Sequence, residues 1–467
     1  MRVSVASDGW VACDNAVTQL RVCNNGNQSA SNPRVVVTIP SEFAFVSSVP
    51  APSGVSGKTL TYFMGAFAAG DCKNIALTLA VPCNVGIGEA FCVEANAFPD
   101  FCFDPQPGWD GTNLVVNAYC NAPDSVRFSV LKTTPGPMTS SPSFVITEDH
   151  LMRASGLLPL IIGDSITFTL DNPTGGTYTF QTSQTPGHPF PEPISVSIEG
   201  CGSNPGSTGF LLQYPQHSGN PHGDIFCDAV QESIGGQEKM AFPIGFGTEH
   251  LILKKSVLDY RISFQNTTNA IVQTVTLVDT LSSSLNWNSL RIGTSSHPFT
   301  FSIQNGVLTV VFSNLQLPPA SVNPTASRGF FSFHIGVAND APLGTLIENT
   351  AKVILDNQIP SITGTTFHRL GENFIVVNVV DNQANIDFQL QVSPNPMETS
   401  ALFSFSGEGA SGLIVLQIMD MTGSVVRVFK TTEGSLVFEK NELKSGVYFF
   451  YCIGQNGSRI GGRLVVL

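Results

Sequence analysis

Apolar and polar residues alternate in short runs along almost the whole chain. The pattern is clear in SITFTL (residues 165–170), TYTFQT (177–182) and ISVSIEG (194–200). Successive side chains of a strand point to opposite faces, so a period of two predicts half-buried strands. Glycine and proline turns separate the runs, and few stretches suit a long helix. The pattern therefore predicts an all-β chain made of several small sandwich modules.

The alternating pattern also repeats within the chain. LRVCNNGNQSASNPRVVVTIP from Leu20 has a counterpart in YRISFQNTTNAIVQTVTLVDTL from Tyr260, and VGIGEAFCVEANAFPD from Val85 parallels PLGTLIENTAKVILD from Pro342. In the first pair an alternating strand, an Asn-rich turn and a β-branched strand follow one another, and Asn suits left-handed turn geometry. We expect two related Ig-like modules, at residues 1–125 and at residues 246–370.

The remaining segments predict further parts of the chain. SFVITEDH from Ser143, together with the runs at 165–200, indicates a small β-sandwich module at residues 126–205. Residues 206–245 are rich in Gly, Pro, Ser and His and predict a linker or wrapping loop. A second linker is expected at residues 371–387, followed by a small terminal β-sandwich at residues 388–467.

Composition limits the functions that the chain can have. Charged residues make up only 12% of its 467 residues, about half the share usual in soluble domains. The formal net charge of −13 argues against nucleic-acid binding, because that needs basic patches. No apolar run approaches the roughly 20 residues that span a bilayer as a helix. This acidic, weakly charged composition suits a soluble extracellular protein, with sandwich cores filled by the abundant Phe.

Cysteine usage indicates an oxidising compartment such as the periplasm or the cell surface. The disulfide candidates are Cys13, Cys23, Cys72, Cys83, Cys92, Cys102, Cys120, Cys201 and Cys227. No Cys-x-x-Cys pair occurs, so a compact zinc site is not expected. Seven of the cysteines lie in the first 120 residues, an odd number that leaves one thiol free or paired elsewhere. The connectivity cannot be deduced, although Cys201–Cys227 is a reasonable guess.

Candidate catalytic motifs are better explained as structure. Gly163-Asp164-Ser165 matches the nucleophile block of SGNH-type esterases, in which an Asp-x-x-His pair supplies the base. No such pair occurs in this chain, and SITFTL continues from Ser165 as a strand, so a turn between strands is the preferred interpretation. Glu148-Asp149 is the most obvious carboxylate pair for glycoside hydrolysis, but its module is too small for a deep cleft.

The eight histidines are scattered, and a single loop groups two of them with other ligand-type residues. That loop holds His217, His222, Asp224 and Cys227, and a solvated polar loop is the preferred interpretation. The sequence therefore names no catalytic residue, no metal ligand and no cofactor. It leaves open a weakly bound calcium ion between modules, with no motif to place it.

Residues 388–467 carry three features in order. They are Pro394-Asn395-Pro396 after a short strand, an Asp420-x-x-Gly423 turn, and Gly446-Val447-Tyr448 before a Gly-rich, basic-then-aliphatic strand with Arg463. Together they resemble the C-terminal sorting domain of proteins exported by the type IX secretion system of Bacteroidetes. The resemblance implies passage through the periplasm and across the outer membrane. It also implies two partners, the secretion translocon and a sortase-like surface peptidase. An ordinary terminal Ig-like module is the alternative.

Residues 245–372 resemble a family of Bacteroidetes surface modules of unknown function, akin to bacterial conserved-repeat Ig-like domains. The matching segments are Tyr260–Asn266, Asp279–Leu281, Ser296–Phe299, Leu343–Thr345 with Glu348-Asn349, and Thr365–His368. Upstream, IGGQEKMAFPIG from Ile234 departs from the Asp-Pro-Asn-Asp type of entry expected there. That departure puts an ion-binding role for the approach segment in doubt.

Three short triplets resemble the Asp-Ser/Thr-aliphatic sites that Bacteroidetes O-glycosylate in the periplasm. They make Ser125, Ser165 and Thr280 candidate glycosylation sites, although chance explains each triplet about as well. At the other end of the chain, Met1 leads directly into a strand without the apolar core of a signal peptide. That opening indicates either a removed signal or a longer parent chain, and truncation of a longer chain is the preferred interpretation.

These features predict a secreted or outer-membrane cell-surface protein without catalytic activity. It would act as a structural stalk or an adhesin, with a surface glycan or a protein as ligand. Two alternatives stay open. The modules could be the C-terminal appendage of a hydrolase whose catalytic domain lies upstream of Met1. The first two modules could instead bind carbohydrate through Trp10 and Trp109, although packing in the core or in a loop is the preferred role for both.

Overall fold

The computed structural model is built almost entirely from β-strands. It describes residues 1–98, 107–121, 125–134, 138–149, 151–161, 165–171, 173, 175–190, 193–202, 208–220, 222–356, 358–372, 389–407, 410, 412–420, 425–441, 443–454 and 459–467. These residues form 36 strands and two 3-10 helices of three residues each, which confirms the predicted all-β fold. Within this part of the chain, no helix has the length and apolarity that a membrane span requires.

Two compact units divide the structure. One comprises Met1–Pro142 and Pro159–Phe374, and the other comprises Ser143–Leu158 and Ile375–Leu467. The separate module expected at residues 126–205 stays a prediction, since this division into units does not test its bounds. The predicted linker at residues 371–387 lies outside the described residues from 373 onward.

The N-terminal repeat is a sandwich of two antiparallel sheets. Its strands are β1 (Arg2–Ser7), β2 (Trp10–Val11), β3 (Asn15–Cys23), β4 (Arg34–Thr38), β5 (Ala44–Val49), β6 (Gly54–Ser56), β7 (Thr59–Phe63), β8 (Cys72–Ala80) and β9 (Ala90–Phe98). One sheet has the order β1-β3-β8-β5, and the other contains the order β6-β7-β4-β9. Alternate residues of both sheets, such as Leu20 and Val37, meet in one buried core, as their period of two requires.

The next part of the chain forms smaller sheets and one strand that returns to the first repeat. Its elements are β10 (Leu114–Asn121), β11 (Ser125–Lys132), β12 (Ser143–Glu148), β13 (Leu151–Leu157), β14 (Ser165–Asp171), β15 (Tyr178–Thr182), β16 (Ile194–Ile198), the 3-10 helix Leu211–Gln213 and β17 (Gly223–Gln231). Antiparallel pairs join β10 to β11, β11 to β14, β12 to β13 and β15 to β16. Strand β17 pairs antiparallel with β9 and parallel with β2, so it extends the second sheet of the first repeat.

The second repeat is a larger sandwich. Its elements are β18 (Glu238–Phe242), β19 (Leu251–Ile252), β20 (Val257–Gln265), β21 (Val275–Thr280), the 3-10 helix Trp287–Ser289, β22 (Arg291–Ser295), β23 (Thr300–Gln304), β24 (Val307–Phe312), β25 (Arg328–Gly336), β26 (Leu346–Asn349), β27 (Ala351–Leu355), β28 (Ser361–Ile362) and β29 (Thr366–Leu370). Its sheets have the orders β18-β20-β25-β22, β23-β24-β21-β27-β28 and β19-β29-β26.

The two repeats share one topology, which confirms the internal repeat predicted from the sequence. The order β1-β3-β8-β5 corresponds to β18-β20-β25-β22, and the order β6-β7-β4-β9 corresponds to β23-β24-β21-β27. The Asn-rich turns also correspond. Asn24 donates from its amide to the carbonyl of Gln28, and Asn266 donates in the same way to the carbonyl of Ala270.

The prediction of a linker or wrapping loop at residues 206–245 is wrong. The segment contains the 3-10 helix Leu211–Gln213 and the strands β17 and β18, which belong to sheets of the first and second repeats. Its glycines, prolines and histidines fall mostly in the turns between these elements. Apolar residues on either side of Asp228, such as Cys227 and Val230, are buried where β17 lies beside β9.

The C-terminal part of the chain forms two further antiparallel sheets. Its strands are β30 (Gln389–Ser393), β31 (Ser400–Ser406), β32 (Ile414–Met419), β33 (Val425–Thr431), β34 (Ser435–Glu439), β35 (Gly446–Ile453) and β36 (Arg459–Val466). The sheet orders are β30-β31-β34 and β33-β32-β35-β36. Phe403 and Phe438 of the first sheet and Leu416 and Leu464 of the second are buried in a common core.

Candidate functional site

A buried ion pair joins the two repeats. Arg261 on β20 donates from Nη1 to the Asp228 carboxylate on β17 at 2.7 Å and to the Ser7 carbonyl on β1 at 2.9 Å. Arg261 is 5% exposed and Asp228 1% exposed, so both charges have left water. Loss of either partner would leave an uncompensated buried charge, which costs about 3–5 kcal/mol. The pair therefore favours one fixed arrangement of the two repeats.

A second polar cluster lies at the same junction and centres on His334 of β25. Its Nδ1 hydrogen-bonds to the carboxylate of Asp259, and its Nε2 lies 4.0 Å from Oδ2 of Asp224 on β17. The same Oδ2 accepts a hydrogen bond from the Val5 backbone N–H at 2.7 Å. The cluster thus connects β25 and β20 of the second repeat with β17 and β1 of the first.

The charged forms of His334 and its two carboxylate neighbours stabilise one another. Burial alone would lower the pKa of His334, but the carboxylates of Asp259 and Asp224 outweigh burial and raise that pKa to about 9. Burial raises the pKa of Asp224, opposed by the attraction of His334. Donor atoms of the three side chains lie within 4.8 Å of one another, a spacing that suits a small cation. At neutral pH His334 is protonated, so its ring has no lone pair to bind a metal ion. The positive charge of the imidazolium then neutralises the two carboxylates in place of a metal cation.

A small cavity opens beside this cluster. Its volume is about 140 Å³, and its charged lining includes Glu94 and Asp259 as well as Arg2, Lys255 and Arg291. Pockets for small molecules and cofactors usually measure about 300–1,000 Å³. A cavity of this size instead holds a few water molecules, each of which takes up about 30 Å³ in the liquid. The cavity beside His334 is therefore smaller than a usual pocket for a small molecule or cofactor.

A third polar centre lies inside the second repeat, among apolar side chains. Lys239 of β18, Asp279 of β21 and Asn349 of β26 are 4%, 1% and 2% exposed. Nζ of Lys239 forms a buried ion pair with Oδ2 of Asp279, and the Asn349 carboxamide lies beside Asp279. Nζ also lies 4.8 Å from the ring centroid of Tyr260 and 5.8 Å from that of Phe333.

The protonation of this centre is balanced by its surroundings. Burial lowers the pKa of Lys239 to about 8, although Asp279 opposes the shift. Burial also raises the pKa of Asp279, although Lys239 opposes that shift. The two shifts bring the pKa values of the amine and the carboxyl closer together, which lowers the cost of passing a proton from the ammonium to the carboxylate.

The first repeat has apolar residues at all three equivalent positions. Lys239 is opposite Ile262 in its sheet, and in the first repeat Val5 is opposite the corresponding Leu20. In the second repeat Asp279 is opposite Ala351 on the neighbouring strand, and in the first repeat Val37 is opposite Ala95. Val37 therefore occupies the position that corresponds to Asp279. Two residues before Ala351 and Ala95, Asn349 corresponds to Val93. Val5, Val37 and Val93 are all buried in the core of the first repeat.

The structure pairs eight of the nine candidate cysteines. The disulfides are Cys13–Cys83, Cys23–Cys72, Cys92–Cys227 and Cys120–Cys201. The suggested Cys201–Cys227 bond is wrong, because Cys227 lies directly opposite Cys92 on neighbouring strands. Cys102 lies outside the described residues. Cys452 is buried as a free thiol, and burial raises its pKa to about 12.

Part of the predicted sorting motif comes together at the C-terminal strand. The Asn395 side chain donates to the Arg463 carbonyl at 2.7 Å and accepts from the Val465 N–H at 2.8 Å. Pro394 and Pro396 on either side lack an N–H, so the Asn395 side chain supplies the strand-like bonds that they cannot make. Gly446 begins β35, and the Tyr448 hydroxyl donates to the Lys444 carbonyl at 2.9 Å. Asp420 follows β32, and Gly423 lies outside the described residues.

The candidate glycosylation sites differ in accessibility. Ser165 and Thr280 are exposed, at the start of β14 and the end of β21. Ser125 is buried at the start of β11, so its hydroxyl is not accessible in the folded protein. Asp164, which precedes Ser165 in the esterase-like triplet, lies outside the described residues.

The predicted histidine loop does not assemble as a single site. Cys227 is in a disulfide, and Asp224 belongs to the His334 cluster. His222 is buried beside the Met1 carbonyl, and burial lowers its pKa to about 4.

The two candidate sugar-stacking tryptophans have different surroundings. Trp10 is buried in the first core, where its Nε1 donates to the Phe91 carbonyl. The stacking role suggested for Trp10 is therefore wrong. Trp109 is half-buried, donates to the Thr112 carbonyl and packs edge-on against His188.

Comparison with known proteins finds a family model that matches one segment of the chain. A family model described as a domain of unknown function, DUF7619, matches residues 241–369. The match covers most of residues 245–372, the segment for which the sequence predicts a surface module. No curated protein matches the chain.

Several solved structures share the β-sandwich fold at low similarity. BcpA, the major pilin subunit of Bacillus cereus, is 12% identical over 70% of this chain and 89% of its own, with a TM-score of 0.20. The major pilin SpaA of Corynebacterium diphtheriae is 13% identical over 71% and 80%, with a TM-score of 0.21. The collagen adhesin CNA of Staphylococcus aureus is 8% identical over 79% and 91%, also with a TM-score of 0.21. Likenesses with TM-scores this low carry no functional argument.

Proposed function

We propose that this chain is a non-catalytic protein of the cell surface, acting as a structural stalk or as an adhesin. In this role the two Ig-like repeats act as one stiff body that presents a surface to a glycan or a protein ligand. The C-terminal module acts as the export signal for the type IX secretion system and is then removed by a surface peptidase. The observation that carries the mechanical part is the buried Arg261–Asp228 pair between the repeats.

Two further features support a load-bearing role. Three disulfides hold the first repeat, including the bond from β9 to the added strand β17. The His334 cluster adds a second charged contact between the repeats.

Hydrogen exchange in urea tests whether the repeats act as one body. In the full chain, peptides from β3 and β20 are expected to lose protection at the same urea concentration. Arg261→Met leaves Asp228 buried without its partner, so the second repeat is expected to open separately from the first. Lys352→Met, which removes an exposed cation on β27 away from the junction, serves as the control and should leave the common midpoint unchanged. Two separate midpoints in the unmodified protein would contradict the proposal.

A reporter fused to residues 389–467 tests the export route. In a bacterium with a type IX system, the fusion is expected to reach the cell surface and to lose its tail there. Asn395→Ala removes the two side-chain bonds to the last strand and is expected to reduce display several-fold. Glu398→Ala changes an exposed residue nearby and should display normally. Display that persists in a strain without the translocon would rule out this route.

A further inference from the structure

The Lys239–Asp279–Asn349 centre is not needed to fill a sandwich core. The equivalent positions of the first repeat hold three valines, and that repeat forms the same sheets. Apolar replacement of a buried ion pair is often neutral or stabilising, because burial removes both charges from water. Three polar residues that occur together in one repeat, and are all absent from the other, therefore point to chemistry that the three perform jointly.

The three side chains have the parts that amide formation requires. Lys239 supplies an amine, Asn349 a carboxamide carbon, and Asp279 a carboxyl group that contacts the amine and lies beside the amide. All three are buried, so water is kept away from the reacting atoms. Held in place by three strands, they gain the effective concentration that comes from fixed orientation.

We propose that Nζ of Lys239 and Cγ of Asn349 become joined by an intramolecular isopeptide bond, with Asp279 as the acid–base group. A proton first passes from the Lys239 ammonium to the Asp279 carboxylate. The neutral amine attacks Cγ of Asn349, and the Asp279 carboxyl hydrogen-bonds to the oxygen as it gains charge. Asp279 then carries a proton from the attacking nitrogen to Nδ2. The Cγ–Nδ2 bond breaks, ammonia leaves, and the Nζ–Cγ amide remains, so no oxidant or other co-reactant is needed.

The proposed bond would link the first strand of the second repeat to a strand near its end. Lys239 lies on the first strand, β18, and Asn349 lies at the end of β26, near the end of the repeat. The bond therefore closes a loop that includes most of the second repeat, as a disulfide would. The first repeat has disulfides for this purpose, whereas the chain has no cysteine between Cys227 and Cys452. Each repeat thus has its own covalent closure.

Intact mass spectrometry of the full chain tests the bond directly. After reduction and denaturation, the protein is expected to be lighter than its sequence mass by about 17 Da, the mass of the ammonia lost. Fragmentation of a digest should find one branched peptide that joins Lys239 to Asn349. Lys239→Met, Asn349→Ala and the near-isosteric Asp279→Asn should each restore the full mass. Lys352→Met, which removes an exposed lysine, should keep the deficit.

The same measurement separates the bond from other losses of ammonia. Succinimide formation at an Asn-Gly sequence such as Asn305-Gly306 also removes ammonia but joins no peptides. A deficit that survives in Lys239→Met would therefore overturn the proposal, and so would full sequence mass in the unmodified protein. If a variant fails to fold, the branched peptide of the unmodified protein still decides the question. None of these outcomes depends on the export route or on the role as a stalk.

Discussion

Asn24 and Asn266 occupy the same turn of the two repeats and make the same local hydrogen bonds. Each donates to the carbonyl four residues later and accepts from the backbone N–H two residues later. Asn266 also donates to the Leu317 carbonyl at 2.9 Å, and it is fully buried. The side chain thus replaces backbone partners that a turn between two sheets cannot provide.

Removal of the Asn266 carboxamide should destabilise the second repeat. Asn266→Ala leaves the Ala270 and Leu317 carbonyls and the Thr268 N–H without this partner, and we expect a loss of about 3 kcal/mol. Urea unfolding of the full chain, followed by hydrogen exchange of β20 and β25, measures the loss. Asn288→Ala, at an exposed position of the 3-10 helix, should change the free energy of unfolding by less than about 0.5 kcal/mol.

His334 should make stability depend on pH. Its pKa is about 9 in the folded protein, above the ordinary 6.5. A raised pKa means that the stabilisation is fully present below pH 6.5 and is lost as pH rises through about 9. We expect the unmodified protein to exceed His334→Gln in free energy of unfolding by about 3 kcal/mol at pH 6, and by little above pH 9. Urea unfolding of the unmodified protein and of His334→Gln from pH 6 to above pH 9 measures this difference. A difference that does not change with pH would contradict a protonated His334 in the folded protein.

The polar centres could not be found from single positions in the sequence. Lys239 lies in a segment that departs from the family pattern, and Asp279 stands out only as part of a short glycosylation-like triplet. One usable signal existed, because alignment of the two repeats places Lys239, Asp279 and Asn349 opposite three valines. The partners of Arg261 and His334 gave no such signal, since they come together only when β17 joins the first repeat.

At the scale of elements, the repeat was predictable because strands with a period of two and Asn-rich turns are local signals. Strand β17 was not, because its pairing with β9 depends on a partner more than a hundred residues away in sequence. Turn residues around β17 gave the whole segment 206–245 the composition of a linker. The disulfide connectivity failed for the same reason, since Cys92 and Cys227 meet only through that pairing.

Reduction should separate the stabilities of the two repeats. Dithiothreitol breaks the three disulfides of the first repeat and leaves the second repeat, which has no cysteine, covalently unchanged. Each bond removed costs about 2–4 kcal/mol. We therefore expect peptides of β3 and β8 to lose protection from hydrogen exchange at lower urea, while peptides of β20 and β25 persist longer. Loss of protection in β20 and β25 ahead of β3 and β8 would contradict separate covalent closure.

At the scale of the molecule, the sequence resemblance and the structure make different contributions. The fold and the internal repeat rest on strand pairings, and the proposed stiffness rests on the buried charges of Arg261, Asp228 and His334. The proposed export route rests on the sequence motif around Asn395, whose side chain hydrogen-bonds to the last strand. A surface protein under load would need both parts: a pair of repeats that resists unfolding and a C-terminal module that directs export.

The most direct measurement is terminal mapping and intact mass of the natural protein, recovered from the cell surface and from the medium. We expect the described repeats to be found outside the cell on a product that ends upstream of Gln389, with the C-terminal module removed. Secreted material that retains residues 389–467 would contradict processing of the tail. Protein found only inside the cell would contradict the surface role itself.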